Sequence, residues 1–392
     1  MTTRSTLPPV VYLLGLTIFS LVTAEFMVAG MMPALAEAFS VSLAQVGNLI
    51  AYYALGMALG GPPVTLLLLS RGVSNKRALV ALLAVYVAAG ALAALSPTYE
   101  VLVLARVIMG VSSAVCIGLC MTLCAGLVAT SIRGKAISVV LAGLMLSPVA
   151  GVPLTTWVQQ QAGWRASAWL TVVLALICTL LAALRVPAST AGSQPPLRHQ
   201  LAALNNSRLW GAYLTSGLII GATFAAFSYC TPILIQRVGI EPAHIAPLLA
   251  LYGVANLVGN TVVGRLADRY TLRVLAAGLG VMVVALSSFA LAGDRVWLSL
   301  VGFFALGLTG VALNPAMAAR VMKAAEPEAL VNAMHTSIIT AGLALGSWAG
   351  GAAIDAGYGL QAPLWVGAGM ALLGLLSLAR PAWTLALAKP CA

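Results

Sequence analysis

The sequence predicts an all-α polytopic membrane protein with twelve transmembrane helices in two pseudo-symmetric six-helix halves. Three observations carry this. The 392 residues are 61% hydrophobic and only 7% charged, with a mean hydropathy of +1.03. A soluble domain carries about 25% charged residues, so this surface is not built for water. The apolar residues also fall into twelve runs, each near the roughly 20 residues that cross a bilayer. Lys and Arg then collect in alternate breaks between the runs, as they do in loops on the cytoplasmic side.

The runs fall near 10–33, 44–69, 77–96, 99–127, 136–161, 165–185, 209–236, 243–267, 273–292, 296–322, 329–354 and 361–386. Many of the 38 Gly and 19 Pro lie inside them, which membrane helices tolerate better than soluble ones. The first run is about 24 residues long, beyond the 7–15 of a signal-peptide core. It is read as a retained first span despite a cleavage-like "ALA" at 34–36. Of the six cysteines, Cys116, Cys120 and Cys124 share one face of one run, where they cannot bridge one another. Polar groups that would support a metal are missing nearby, so these are read as small packing residues.

With the N-terminus inside, inner loops and tails collect Arg4, Arg71, Lys76, Arg77, Arg133, Lys135, Arg185, Arg198, Arg208, Arg265, Arg269, Arg273, Arg320, Lys323, Arg380 and Lys389. The outer side collects only Arg165, Arg237 and Arg295. Both termini are therefore expected in the cytoplasm. The net charge of +11 reads as a topology signal and not as nucleic-acid binding. The longest break, "VPASTAGSQPPLRHQLAALNNSR", is Pro/Ser/Gln-rich and basic. It separates an N-terminal half (1–185) from a C-terminal half (209–392) as a cytoplasmic linker over 186–208.

Four stretches carry chemistry. "GRLADRYTLR" at 264–273 places Gly264, Asp268, Arg265, Arg269 and Arg273 at one end of the eighth span. Its counterpart after the second span has Arg71 but Ser70 where the acid would stand. In the fifth span Gly134, Gly143, Ser147, Pro148 and Gly151 form a ladder of small residues with a kinking proline. "LVLARVIMGVSSA" sets Arg106 about seven residues, or roughly 10 Å, into the fourth span. A cation that deep must find water, a carboxylate or carbonyls, or snorkel to the surface. Lastly, "TAEFMVAGMMP" holds Glu25, the only acid between Met1 and Glu37. It lies about 15 residues, or roughly 22 Å, along the first span.

Together these stretches resemble the major facilitator superfamily over essentially the whole chain. The likeness is to its twelve-span drug:proton antiporters, near the arabinose-efflux-permease and sugar-efflux branch. The resemblance implies the major facilitator fold, a cytoplasmic latch at Asp268 and its neighbouring arginines, and a part in proton transfer for Arg106. The fifth-span pattern is associated within the superfamily with exporters; here Ser147 and Val152 replace two of its glycines.

An ionised carboxylate at the depth of Glu25 is costly, on the order of 2.5–3.5 kcal/mol. A carboxyl whose surroundings alternate between wet and dry, or cation-paired and unpaired, can take a proton on one side and release it on the other. Glu25 is thus expected as proton carrier or as counter-charge to a cationic solute, with Arg106 as its partner. Further candidates for solute contact are Tyr52, Tyr53, Tyr229, Asn256, Asn260, Asn314, Asn332 and His335, since polar groups in spans face the bundle interior. Each could equally bond a neighbouring helix.

No phosphate-cradling loop, nucleophile elbow or metal-ligand spacing occurs. The chain is expected not to be an enzyme and to need no cofactor. The reading is a monomeric proton-coupled antiporter in a bacterial inner membrane, exporting small organic solutes by alternating access. An uncoupled facilitator or importer of a small polar metabolite is the alternative.

Overall fold

Each of the twelve apolar runs is helical in the computed structural model, which describes residues 7–129, 132–187, 205–292, 295–325 and 329–387. Helix α1, Pro9–Gly30, breaks at Met31 and resumes as Met32–Phe39. Next come α2 (Leu43–Ser70), α3 (Asn75–Leu95) and α4 (Tyr99–Leu127). α2 starts cleanly because Ser42 and Gln45 cap each other: the Gln45 amide donates to Ser42 Oγ at 3.1 Å and the Ser42 amide to Gln45 Oε1 at 2.9 Å.

Helices α5 (133–162) and α6 (164–185) form one helical run of 53 residues, interrupted only at Gly163 with φ 83°. A straight helix that long would reach about 80 Å, far beyond a hydrocarbon core of about 30 Å. The chain reverses instead, and Ser167 Oγ donates to the Thr155 carbonyl at 2.8 Å across the hairpin. Only glycine takes that φ without strain.

α7 is Ser207–Phe227, continued to 237 after a turn at Ser228 and Tyr229. α8 (242–269) and α9 (271–291) meet at one non-helical residue, Tyr270. Gly259 of α8 and Gly278 of α9 both lie against residues 308–313 of α10 (Val296–Ala324), so α8 and α9 run side by side. α11 is Leu330–Tyr358 and α12 is Ala362–Leu387.

The first helix of each half is broken at a matching place. Pro33 follows the break at Met31, and Pro232 follows the turn at Tyr229. Proline lacks the N–H that would close the preceding turn. The apolar run 10–33 reads as one unbroken helix in the sequence; the break is a local effect that hydropathy does not register. Wider turns occur at Gly56–Gly60, Ser147–Gly151, Ile233–Arg237 and Ile354–Tyr358, and such turns relax the backbone ladder at functional places.

Within the halves, α1 packs on α2, α4, α5 and α6, and α7 packs on α10, α11 and α12. Between the halves, α2 meets α11 and α5 meets α8. Large apolar side chains such as Leu104, Leu180, Val284 and Leu291 are exposed on the outside of the bundle, where lipid is their solvent. Most of the 186–208 break lies outside the described residues, as do Arg4, Arg198 and Lys389 and the side chain of Arg380.

Candidate functional site

Glu25 and Arg106 are both buried, at 5% and 1% exposure. The fold brings them together, though not carboxylate to guanidinium. Arg106 reaches from α4 to the backbone of α1: Nη1 donates to the Ala24 carbonyl at 2.6 Å and Nη2 to the Glu25 carbonyl at 2.8 Å. Nε points at the Leu49 carbonyl of α2 at 3.4 Å, and the guanidinium lies 4.3 Å from the centre of the Tyr53 ring. The planar fork of arginine suits such multiple carbonyl contacts, and the ring adds an electrostatic face. Tyr53 and Tyr86 in turn aim their hydroxyls at the Leu21 carbonyl, at 3.5 and 3.4 Å.

The cation expected beside the acid thus binds the two helices flanking it. Among the described residues the Glu25 carboxylate takes part in no hydrogen bond or ion pair. It keeps a small accessible fraction, and Arg106 is held one peptide away.

The small residues of α5 meet α1. A Cβ at Gly143 would run into the Gly15 carbonyl, and one at Gly151 into the Thr23 side chain. Thr23 Oγ1 donates to Ser147 Oγ at 3.2 Å, so the serine that replaces a motif glycine supplies a polar tie. On its other side this segment meets α8, where a Cβ at Gly253 would strike Pro148 and Val149. Gly134 has open space around it and makes no such contact.

The halves are sealed at the end remote from the basic loops. Tyr229 Oη donates to the Ser347 carbonyl at 2.8 Å, and Ser347 Oγ donates to the Gly47 carbonyl of α2 at 3.0 Å. Gly47 and Gly351 leave room for the tyrosine ring, since a Cβ on either would meet its hydroxyl. Gln160 Nε2 of α5 donates to the Pro242 carbonyl at 2.6 Å. Of these, the Ser347–Gly47 and Gln160–Pro242 bonds join the two halves. Exposure rises along one stripe of α1: Phe26 and Phe19 are partly exposed, Leu16 is 39% exposed and Tyr12 57%. The exposed stripe thus runs from the middle of α1 toward the basic end.

The remaining candidates separate. Tyr53 is buried under Arg106, and Tyr229 belongs to the seal. His335 Nε2 is 2.9 Å from Ser216 Oγ and its ring stacks on Tyr213, making a contact between α11 and α7. Tyr52, Asn260 and Asn314 are partly exposed, Asn332 is exposed and Asn256 is buried. Asp268, Arg265, Arg269 and Arg273 are all exposed; Lys323 Nζ donates to the Asp268 carbonyl at 2.7 Å, and the Asp268 carboxylate reaches no partner among the described residues. Sequence reading missed an aromatic stack that crosses the halves, Phe26 on Phe224 at 5.0 Å. Its one trace in the sequence is Phe26 itself, beside the acid.

Two helical halves tied together at one end and enclosing a buried acid and arginine have the layout of a membrane transporter. The family model described as Major Facilitator Superfamily matches residues 14–251 and 230–386. The chain belongs to that superfamily. It is 32% identical to the inner membrane transport protein YdhP of Escherichia coli K12, over 93% of each chain. It is 31% identical to a chloramphenicol resistance protein of Streptomyces lividans, over 94% of this chain and 95% of that one. Among solved structures, a bacterial homolog of the human lysosomal transporter Spinster, inward-facing and occupied, aligns with a TM-score of 0.77. That alignment covers 96% of this chain and 97% of the other at 15% identity, a likeness of fold.

Proposed function

We propose that this transporter is a proton-coupled antiporter that exports small organic solutes across a bacterial cytoplasmic membrane, with both termini inside. The basic loops then face the cytoplasm, and the cavity opens inward. The observation that carries the reading is Glu25: a carboxyl buried to 5% exposure with no partner among the described residues, beside a fixed cation. A group so placed changes its protonation when the water around it changes. Loading from one side and release to the other, as the halves rock, couples proton entry to solute exit.

Export as the direction is supported by the fifth-span small-residue pattern and by the relative named for chloramphenicol resistance. Solute contacts are assigned to Glu25, Tyr52, Asn256, Asn260, Asn314 and Asn332. Asp268 with Arg265, Arg269 and Arg273 closes the inner end in the opposite state. Each charge moved through 100 mV yields about 2.3 kcal/mol, enough for roughly a fifty-fold gradient if one net charge moves per solute.

The test is reconstitution into liposomes with an imposed pH gradient and a compound panel that includes chloramphenicol. Uphill solute movement that collapses when a protonophore is added supports coupling. Movement indifferent to the protonophore rejects it and leaves an uncoupled facilitator.

A further inference from the structure

From Ser20 to Met32 every residue of α1 is buried except Phe26. α1 is surrounded by α2, α4, α5 and α6 of its own half, so the accessible part of the Phe26 ring faces internal space and not lipid. One face of that ring is already occupied. It stacks on Phe224 of α7 with centroids 5.0 Å apart and planes at 27°, and Phe227 meets it edge-on at 6.5 Å.

The stack continues through the other half. Phe227 lies on Tyr252 of α8 at 4.9 Å, and Tyr252 on Phe303 of α10 at 4.9 Å. Phe303 also meets Phe289 and Phe304. Six of the eight phenylalanines of the chain belong to this one ladder. Burial alone does not call for that, since leucine fills space as well and is plentiful here. Along the stack from Phe26 to Phe303, only Phe26 is accessible.

Building on the transport reading above, we propose that Phe26, backed by Phe224 and Phe227, is the specificity-determining residue of the translocation cavity, selecting solutes with a planar aromatic ring. A ring face held rigid by a stack behind it offers a flat surface at little entropic cost, and offset or edge-on ring pairs gain beyond their burial. The position matters as well. Phe26 belongs to one half and Phe224 to the other, so opening the sealed end parts the pair, and a solute ring can take the face that Phe224 leaves. Glu25 is the next residue, about 100° round the helix, so a ring on Phe26 brings the polar part of the solute near the proton carrier.

The experiment is equilibrium binding to the purified full chain in lipid nanodiscs, without a pH gradient. The probes are benzyl alcohols, amides and amines and their cyclohexylmethyl counterparts, each pair sharing its polar group. The wild-type chain is expected to bind the benzyl member about two- to tenfold more tightly. Phe26→Leu should remove the preference by weakening the benzyl member alone, and Phe26→Tyr should restore it. Phe26→Met replaces the leucine variant if that one does not fold. Phe303→Leu, inside the ladder and away from the cavity, should keep the preference while lowering the melting temperature.

The proposal is overturned if no pair shows a benzyl preference in the wild type. It also fails if Phe26→Leu weakens both members equally, or if Phe303→Leu erases the preference as fully as Phe26→Leu. Because binding needs no gradient, an intact ring preference without proton-driven flux removes only the coupling reading; the reverse result removes only this one.

Discussion

At the scale of residues, the centre of this transporter is an arginine that holds backbone. Arg106 spends its donors on the Ala24, Glu25 and Leu49 carbonyls and its face on Tyr53. Hydrogen bonds to a charged group contribute about 1.5–3 kcal/mol, so Arg106→Ala should lower the melting temperature of the purified protein clearly. Arg106→Lys should rescue little of it, because a compact ammonium lacks the planar fork whose three nitrogens meet the three carbonyls separately. Glu25→Gln is expected to leave the melting temperature nearly unchanged, since its carboxylate has no partner to lose. A melting temperature that falls as far as in Arg106→Ala would mark Glu25 as a structural acid. The sequence placed both groups at depth, because charge inside an apolar run is conspicuous. It did not indicate that the guanidinium would choose carbonyls over the carboxylate, which depends on how α1 and α4 are turned toward each other.

At the scale of elements, helix contacts without side chains set where the bundle can slide. Gly143 rests on the Gly15 carbonyl, and Gly253 on Pro148 and Val149. Gly143→Leu should abolish transport and lower expression, because backbone, not a flexible side chain, stands in the way. Gly253→Ala should prop α5 from α8 near the middle of both helices and loosen the seam that runs on to Gln160. A cysteine in place of Gln160, which bonds across that seam, should then react faster with a bilayer-impermeant maleimide. An unchanged rate would show that the α5–α8 seam does not gate. The helices themselves were legible, since hydropathy integrates over twenty residues and tolerates local error. Breaks at Met31 and Tyr229 and the one-residue reversals at Gly163 and Tyr270 were not, for they turn on a few dihedrals. The aromatic ladder was hidden for a different reason: Phe26 and Phe224 meet only once the two halves are assembled.

At the scale of the whole molecule, hydrogen bonds from Ser347 to Gly47 and from Gln160 to Pro242 tie the two halves at the sealed end. Ser347 Oγ is one of these ties, donating to Gly47 across the seam. Removing one neutral bond costs about 1 kcal/mol, so Ser347→Ala should shift the population toward the opposite-open state about fivefold. Spin labels at the exposed Ser42 and Gln361, at the sealed end of either half, would read that as growth of a longer distance. An unaltered distance distribution would remove Ser347 from the seal. The central claim concerns Glu25 and calls for one comparison in liposomes: solute exchange at zero gradient against uphill solute movement under an inward proton gradient. Glu25→Gln should exchange solute at a rate within a fewfold of wild type and accumulate none of it uphill. Concentration of solute by that variant to the wild-type level would show that the proton travels by another route.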